Sequence, residues 1–167
     1  MLIRDEEPKD REAVREIVAA EFDTGPEADL IDELREEARP IVSLVADEGG
    51  EAVGHVLFSP VTLAGDPNAK LMGLAPLAVR YDHQGRGIGS ALVRTGLDRC
   101  RALGIVAVVV LGHADYYTRF GFTPAAAFGI ESEYDVPDDA FMVLELAPGG
   151  LRGKTGTVKF HPAFAGL

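Results

Sequence analysis

The sequence predicts a single mixed α/β domain of the α+β kind, and three observations predict it. Strand-like and helix-like apolar patterns follow one another along 167 residues, a length that suits one well-cored domain and is short for two. The pair Gly49-Gly50 joins two apolar runs as a tight hairpin, which makes its strands antiparallel neighbours. A strand ending at Val79 passes through a glycine-rich turn into a helix carrying Ile88, Leu92, Val93, Leu97 and Cys100 on one face.

The elements can be justified in order. Residues 2–4 form a first strand. Pro8-Lys9-Asp10 opens a helix with Val14, Ile17, Val18 and Phe22 towards the core, and Gly25-Pro26 breaks it before a second helix, 27–38. That helix carries Leu30, Ile31, Leu34 and Ala38 on its apolar stripe, and its acidic residues are expected on a solvated face. Strands 41–47 and 51–61 follow, and a loop over 64–68 leads into the strand 71–79. The continuous apolar run 105–111 is too short for an ordinary helix and reads as a buried strand, and 140–146 reads as another. Residues 1–147 form the domain on this reading. The basic extension 148–167, with Thr157-Val158-Lys159-Phe160 alternating like a half-buried strand, packs on the same domain or on a partner subunit.

Composition narrows the function. A formal net charge of −11 argues against nucleic acid as a partner, since phosphate binding needs a basic stripe. No apolar run reaches membrane-spanning length, and Met1-Leu2-Ile3-Arg4-Asp5-Glu6-Glu7 lacks the basic start and apolar core of a signal peptide, so a cytoplasmic protein is expected. Cys100 is the only cysteine, which rules out an internal disulfide, and its helical position predicts core packing.

The glycine turn carries the chemistry. In Gln84-Gly85-Arg86-Gly87-Ile88-Gly89-Ser90, glycines at alternate positions let successive backbone N–H groups point at one anion, and the next helix adds its unpaired N-terminal donors. Arg86 is expected to place a full positive charge beside the same pocket, which suits a pyrophosphate. Two rival motifs fail letter by letter. A dinucleotide fingerprint needs a third glycine where Ser90 or Leu92 stands, and a triphosphate loop needs Gly-Lys, whereas no lysine lies between Leu71 and Leu151.

The segment Gln84-Gly85-Arg86-Gly87-Ile88-Gly89 resembles the Gln/Arg-x-x-Gly-x-Gly/Ala motif of the GNAT superfamily of acyl-CoA-dependent N-acyltransferases. Downstream, Tyr117, Gly121 and Phe122 match that superfamily's Tyr-x-x-x-Gly-Phe pattern in register. The resemblance implies a mixed, mostly antiparallel twisted sheet whose central parallel strand pair splays apart, flanked by helices. It implies acetyl-CoA as co-substrate and no metal. By position it assigns the pantetheine arm to the backbone of Leu77, Ala78 and Val79, the pyrophosphate to Gln84, Gly85, Arg86, Gly87, Ile88, Gly89 and Ser90, and the catalytic acid to Tyr117, with Tyr116 as fallback. Pro76 cannot donate to a ladder and suits a bulge beside the slot.

The reaction implied is direct attack of a neutral amine on acetyl-CoA. Some members carry a glutamate base on the strand equivalent to 71–79, which has no acidic residue here. His55 and His113 are candidate relays, each more easily read as a hydrogen-bonded structural histidine, and Glu21 and Asp23 are candidates for the acceptor side. The acceptor stays open between a small-molecule amine and a peptide amine, as do a preference for longer acyl chains and a homodimer. The competing reading is a catalytically silent acyl-CoA-binding or regulatory domain.

Overall fold

The computed structural model describes residues 1–22 and 25–166. Their elements run β1 (Leu2–Asp5), α1 (Arg11–Phe22), α2 (Pro26–Glu37), β2 (Val42–Glu48), β3 (Glu51–Leu63), β4 (Asp66–Val79), α3 (Ile88–Ala102), β5 (Ala107–Leu111), α4 (Ala114–Tyr117), β6 (Thr123–Pro124), β7 (Ile130–Ser132), β8 (Phe141–Glu145) and β9 (Gly156–Lys159). The strands form one sheet in the order β1-β2-β3-β4-β5-β8-β6, with β9 beside the end of β3 and β7 beside β9. Pairing is antiparallel except for β4 with β5 and β7 with β9.

Strand alternation sorts the core into layers. On β3, Val56 and Phe58 face α3 and pack with Leu92, Val93 and Leu97, while Leu57 points the other way onto Val18, Leu30 and Leu34 of α1 and α2. A third cluster, with Val61, Val109, Ile130, Val143, Leu151 and Val158, lies where the C-terminal extension crosses the sheet. The extension is tied down by β9, where Thr62 faces Lys159 and Leu63 faces Val158. Lys154 Nζ also reaches Asp66 Oδ2 at 3.2 Å. The hairpin glycines Gly49 and Gly50 both adopt positive φ, as the turn between β2 and β3 requires.

Three expectations need correction. β4 starts at Asp66, so the loop foreseen over 64–68 is mostly strand, paired through Leu63 and Asp66. Phe22, the last residue of α1, is 40 % exposed because it borders an open cavity and is not packed into the core. The stretch 123–139, unassigned from sequence, supplies β6 and β7. Cys100 is fully buried with its Sγ 3.5 Å from Met72 Sδ, and burial pushes its thiol up to about 12, which makes it inert.

Gly96 fixes how close α3 comes to the sheet. A Cβ there would lie 2.1 Å from Cε1 of Phe58, a ring buried on all sides. Gly96→Val is therefore expected to lower stability by about 3 kcal/mol or more, read as a shift of the urea midpoint at constant slope.

Candidate active site

The site begins where two parallel strands part. β4 and β5 pair only at Leu71–Ala107, Met72–Val108 and Gly73–Val109. Beyond that point β5 stays with β8 through Leu111–Phe141, and β4 stays with β3 through Val79–Gly54. Between Leu74 and Leu77 the register of β4 against β3 gains one residue, and Pro76 sits in that bulge as expected. The β5-facing edge of β4 from Leu74 to Val79 is left without a strand partner.

A cradle of about 370 Å³ lies at the end of this edge, lined by Leu77, Ala78 and Val79, by residues of the glycine loop, and by Tyr116 and Arg119. Gly85 and Gly87 take φ of 77° and 80°, and their Cβ positions look onto open space. Ala91 N–H makes the first helical bond of α3, to Gly87 C=O, so the amides of Ile88, Gly89 and Ser90 precede it at the positive end of the helix. Gln84 lines the cradle with its side-chain amide engaged inside the protein. Its Nε2 donates to Val79 C=O and to Glu21 Oε2, both at 3.1 Å, and so clamps the loop to β4 and α1.

Arg86 departs from expectation. Its side chain is not part of the cradle lining and extends 58 % exposed towards Glu48, with Nη1 4.0 Å from Oε1. The cationic side chain that does line the cradle is Arg119, stacked 4.6 Å over the ring of Tyr116. Sequence reasoning passed it over, although it stands inside the Tyr-x-x-x-Gly-Phe segment.

The parted strands enclose a second cavity, a slot of about 530 Å³ that shares Glu21, Leu77 and Tyr116 with the cradle. Tyr117 lines it, packed edge-on to Phe122 at 5.7 Å and over Gly112, where a Cβ would lie 2.5 Å from its ring. Burial, with the neighbouring Tyr116, pushes the Tyr117 phenol up to about 12, so it is a proton-bearing donor at neutral pH. Tyr116 stands perpendicular to Tyr117 in the wall between the two cavities, with its hydroxyl against Gly89. His113 and Glu21 line the slot as well. Asp23 lies outside the described residues. Unforeseen lining comes from Tyr134 and from Phe160 and Phe164 of the extension. Among the described residues no cluster of His, Cys, Asp and Glu is arranged to hold a metal, and no helix is long and apolar enough to cross a membrane.

His55 is not part of either cavity. It is fully buried, and its Nε2 lies 2.9 Å from Ser43 Oγ, which donates its proton to Glu6 Oε1 at 2.8 Å. Ser43 must then accept, so Nε2 of His55 carries the hydrogen and Nδ1 has no partner. Burial pushes the Glu6 carboxyl up, but its paired Arg35, with His55 and Ser43, together outweigh that and hold it below the usual range.

Among the described residues, a strand edge without a strand partner, an open cradle at a helix N-terminus and a phenol in the adjoining slot form the arrangement that an acyl-CoA-dependent acyltransferase needs. The comparisons agree. Residues 8–122 match the family model "Acetyltransferase (GNAT) family", and the chain belongs to that family. It is 39 % identical over 165 residues to the "Uncharacterized N-acetyltransferase YhbS" of Escherichia coli K12, covering 98 % of each chain. The crystal structure of Escherichia coli YhbS in complex with CoA superposes with a TM-score of 0.92 at 37 % identity, over 98 % of this chain and 91 % of that one. A GNAT acetyltransferase from Brucella melitensis in complex with acetyl-CoA gives 0.79 at 34 % identity, over 98 % and 97 %. The fold is thus the mixed GNAT sheet with its splayed parallel pair.

The buried His55 has a consequence for stability. Burial lowers its pKa from the ordinary 6.5 to about 4, with Glu6 opposing and Arg35 reinforcing the shift. The unfolded chain binds this proton more readily, so the stabilisation is complete above pH 6.5 and is lost as pH falls towards 4, by about 3 kcal/mol. Urea titrations across that window should show the fall, and NMR should find the His55 ring neutral, with its proton on Nε2, down to about pH 4.

Proposed function

We propose that the chain transfers an acetyl group from acetyl-CoA to a primary amine by direct attack, with residues 1–147 and the extension acting as one unit. The observation that carries this reading is the continuity of cradle and slot through Leu77 and Tyr116, with the Tyr117 phenol beyond their junction. Acetyl-CoA supplies the acetyl thioester. The open space over Gly85 and Gly87 and the free amides of Ile88, Gly89 and Ser90 suit its pyrophosphate, with Arg119 as the charged partner. The free edge of β4 from Leu74 to Val79 offers backbone donors and acceptors to the pantetheine amides, as to an added strand.

Tyr117 acts on the departing sulfur. Full proton transfer from a phenol near 12 to a thiolate of ordinary pKa, ~8.5, would be uphill by about 5 kcal/mol, so its contribution is a hydrogen bond that strengthens as charge develops. The amine side needs less from the protein than a dedicated base would suggest. An alkylamine of pKa ~10 is neutral about one part in a thousand at pH 7, a deficit of about 4 kcal/mol, and entry into an apolar slot lowers that pKa. His113 and Glu21 line the slot and can pass the proton to water. His55 is excluded from this role by its burial away from both cavities.

The second reading, a silent acyl-CoA-binding domain, shares the cradle and differs only at Tyr117. Tyr117→Phe is expected to lower kcat about 100-fold while the Kd for acetyl-CoA stays within about twofold, measured by thiol release and calorimetry. An unchanged kcat removes Tyr117 from the chemistry. For the cradle, Gly87→Val places a branched side chain at φ 80° and should weaken CoA binding at least tenfold. Arg119→Ala should weaken it about tenfold, and Arg86→Ala less than about threefold, the order expected if only Arg119 faces the pyrophosphate.

A further inference from the structure

We propose that the C-terminal arm builds the acceptor-selecting wall of the slot, and that the acceptor is a small primary amine carried on an aromatic or bulky apolar body. This rests on the acetyltransferase reading above. The half of the slot against the parted strands, with Leu74, Pro76, Gly112 and Tyr117, belongs to the thioester. The slot's remaining apolar lining includes Phe22, Leu30, Tyr134, Phe160 and Phe164, a set in which four of the five side chains are aromatic.

The wall is preformed. Phe160 stacks on Tyr134 with ring centroids 5.7 Å apart and planes at 24°, meets Phe164 at 5.7 Å, and meets Phe141 edge-on at 6.3 Å. Its N–H donates to Glu133 Oε2 at 2.6 Å, and the residue before it, Lys159, is paired with Thr62 of β3. Its ring also presses on the backbone at Gly73, where a Cβ would lie 3.3 Å away, beside the last paired residues of β4 and β5. Phe160 is therefore held by the sheet and joins the arm to the point where the strands part.

Charge and polarity then choose the ligand. Among the described residues lining the slot there is no lysine or arginine, and Glu21 and Glu27 contribute carboxylates, so a cationic amine is drawn in and an anionic acceptor is repelled. The aromatic side chains offer faces to a ring, a contact that a linear diamine and an amino sugar forgo, and a sugar's hydroxyl groups would find few partners among them. A cavity of about 530 Å³ falls in the size range of small-molecule sites.

The test compares 2-phenylethylamine, 1,4-diaminobutane and glucosamine with acetyl-CoA, following free thiol, in the native chain and in Phe160→Ala and Phe164→Ala. The aromatic amine is expected to exceed the other two at least tenfold in kcat/KM. Each variant should cut that advantage to within about threefold, mainly through KM, with the calorimetric Kd for acetyl-CoA unchanged. If Phe160→Ala does not fold, Phe164→Ala, nearer the end of the arm, decides alone. Higher kcat/KM for the diamine or the amino sugar overturns the proposal, as does selectivity that survives both substitutions. If no amine releases thiol, calorimetry of 2-phenylethylamine with the protein and CoA decides: binding weakened in Phe164→Ala supports the wall, and no binding overturns it. Failure of acetyl-CoA itself to bind is a separate result and overturns the acetyltransferase reading beneath.

Discussion

Everything in this site depends on β4 and β5 ceasing to pair after three residues. A parallel ladder that continued past Gly73 and Val109 would consume the backbone donors and acceptors of Leu74 to Val79 and close the slot. Two competing partnerships prevent it. β8 holds β5 antiparallel over its whole length, and β3 holds β4 on the other side, so each strand keeps one neighbour after the two diverge. The bulge carrying Pro76 falls at the divergence, and proline removes one donor that would otherwise need a partner there. Gly112 then lets the Tyr117 ring sit against the end of β5, which places the phenol inside the opening. The same geometry that opens the slot thus leaves an edge ready for a peptide-like arm.

Much of this was legible in the sequence because it rests on local backbone requirements. Gly85 and Gly87 stand where positive φ is needed, the stripe from Ile88 to Cys100 is buried along α3, and Pro76 marks the bulge, all readable from spacing and residue type alone. Side-chain direction in the loop was not. Arg86 has the right charge in the right loop and points out to Glu48, a direction that residue type and spacing do not encode. Arg119 reaches the cradle from about thirty residues downstream, stacked on Tyr116, whose hydroxyl lies against Gly89 of α3. The short strand β7 lacks a pattern of its own, and β9, whose alternation over 157–160 was readable, takes its place only through the far end of β3. The aromatic wall was hidden for that reason, and Phe22 was misplaced because helical periodicity cannot tell a core position from one that borders a cavity.

The net charge of −11 takes on meaning once partners are assigned. Arg15 engages Asp29 and Asp32, Arg35 engages Glu6 and Asp32, and Arg4 engages Asp10 and Asp47, so much of the N-terminal acid is paired on the helices and β1. The exposed Arg15 pairs contribute little to stability individually, whereas Arg4–Asp10 and Arg35–Glu6 are largely buried. The arrangement matters more for what remains near the two cavities. Arg119 and the α3 N-terminus make the cradle electropositive, while Glu21 and Glu27 line the slot with negative charge.

Glu21 is where those two fields meet. It lines both cavities, and by accepting from Gln84, which also bonds Val79 C=O, it fixes the glycine loop to the end of the free strand edge. In the proposed reaction the anionic pyrophosphate is held at one end of the pantetheine arm and an amine that arrives as a cation enters at the other, and a uniform field would favour one and expel the other. A carboxylate at the boundary, tied to the loop by a neutral amide, leaves the cradle its cationic side chain and leaves the slot its attraction for amines. The separation of charge therefore follows from the same divergence of β4 and β5, because only parted strands can set an electropositive helix end and an acidic helix pair against two ends of one opening.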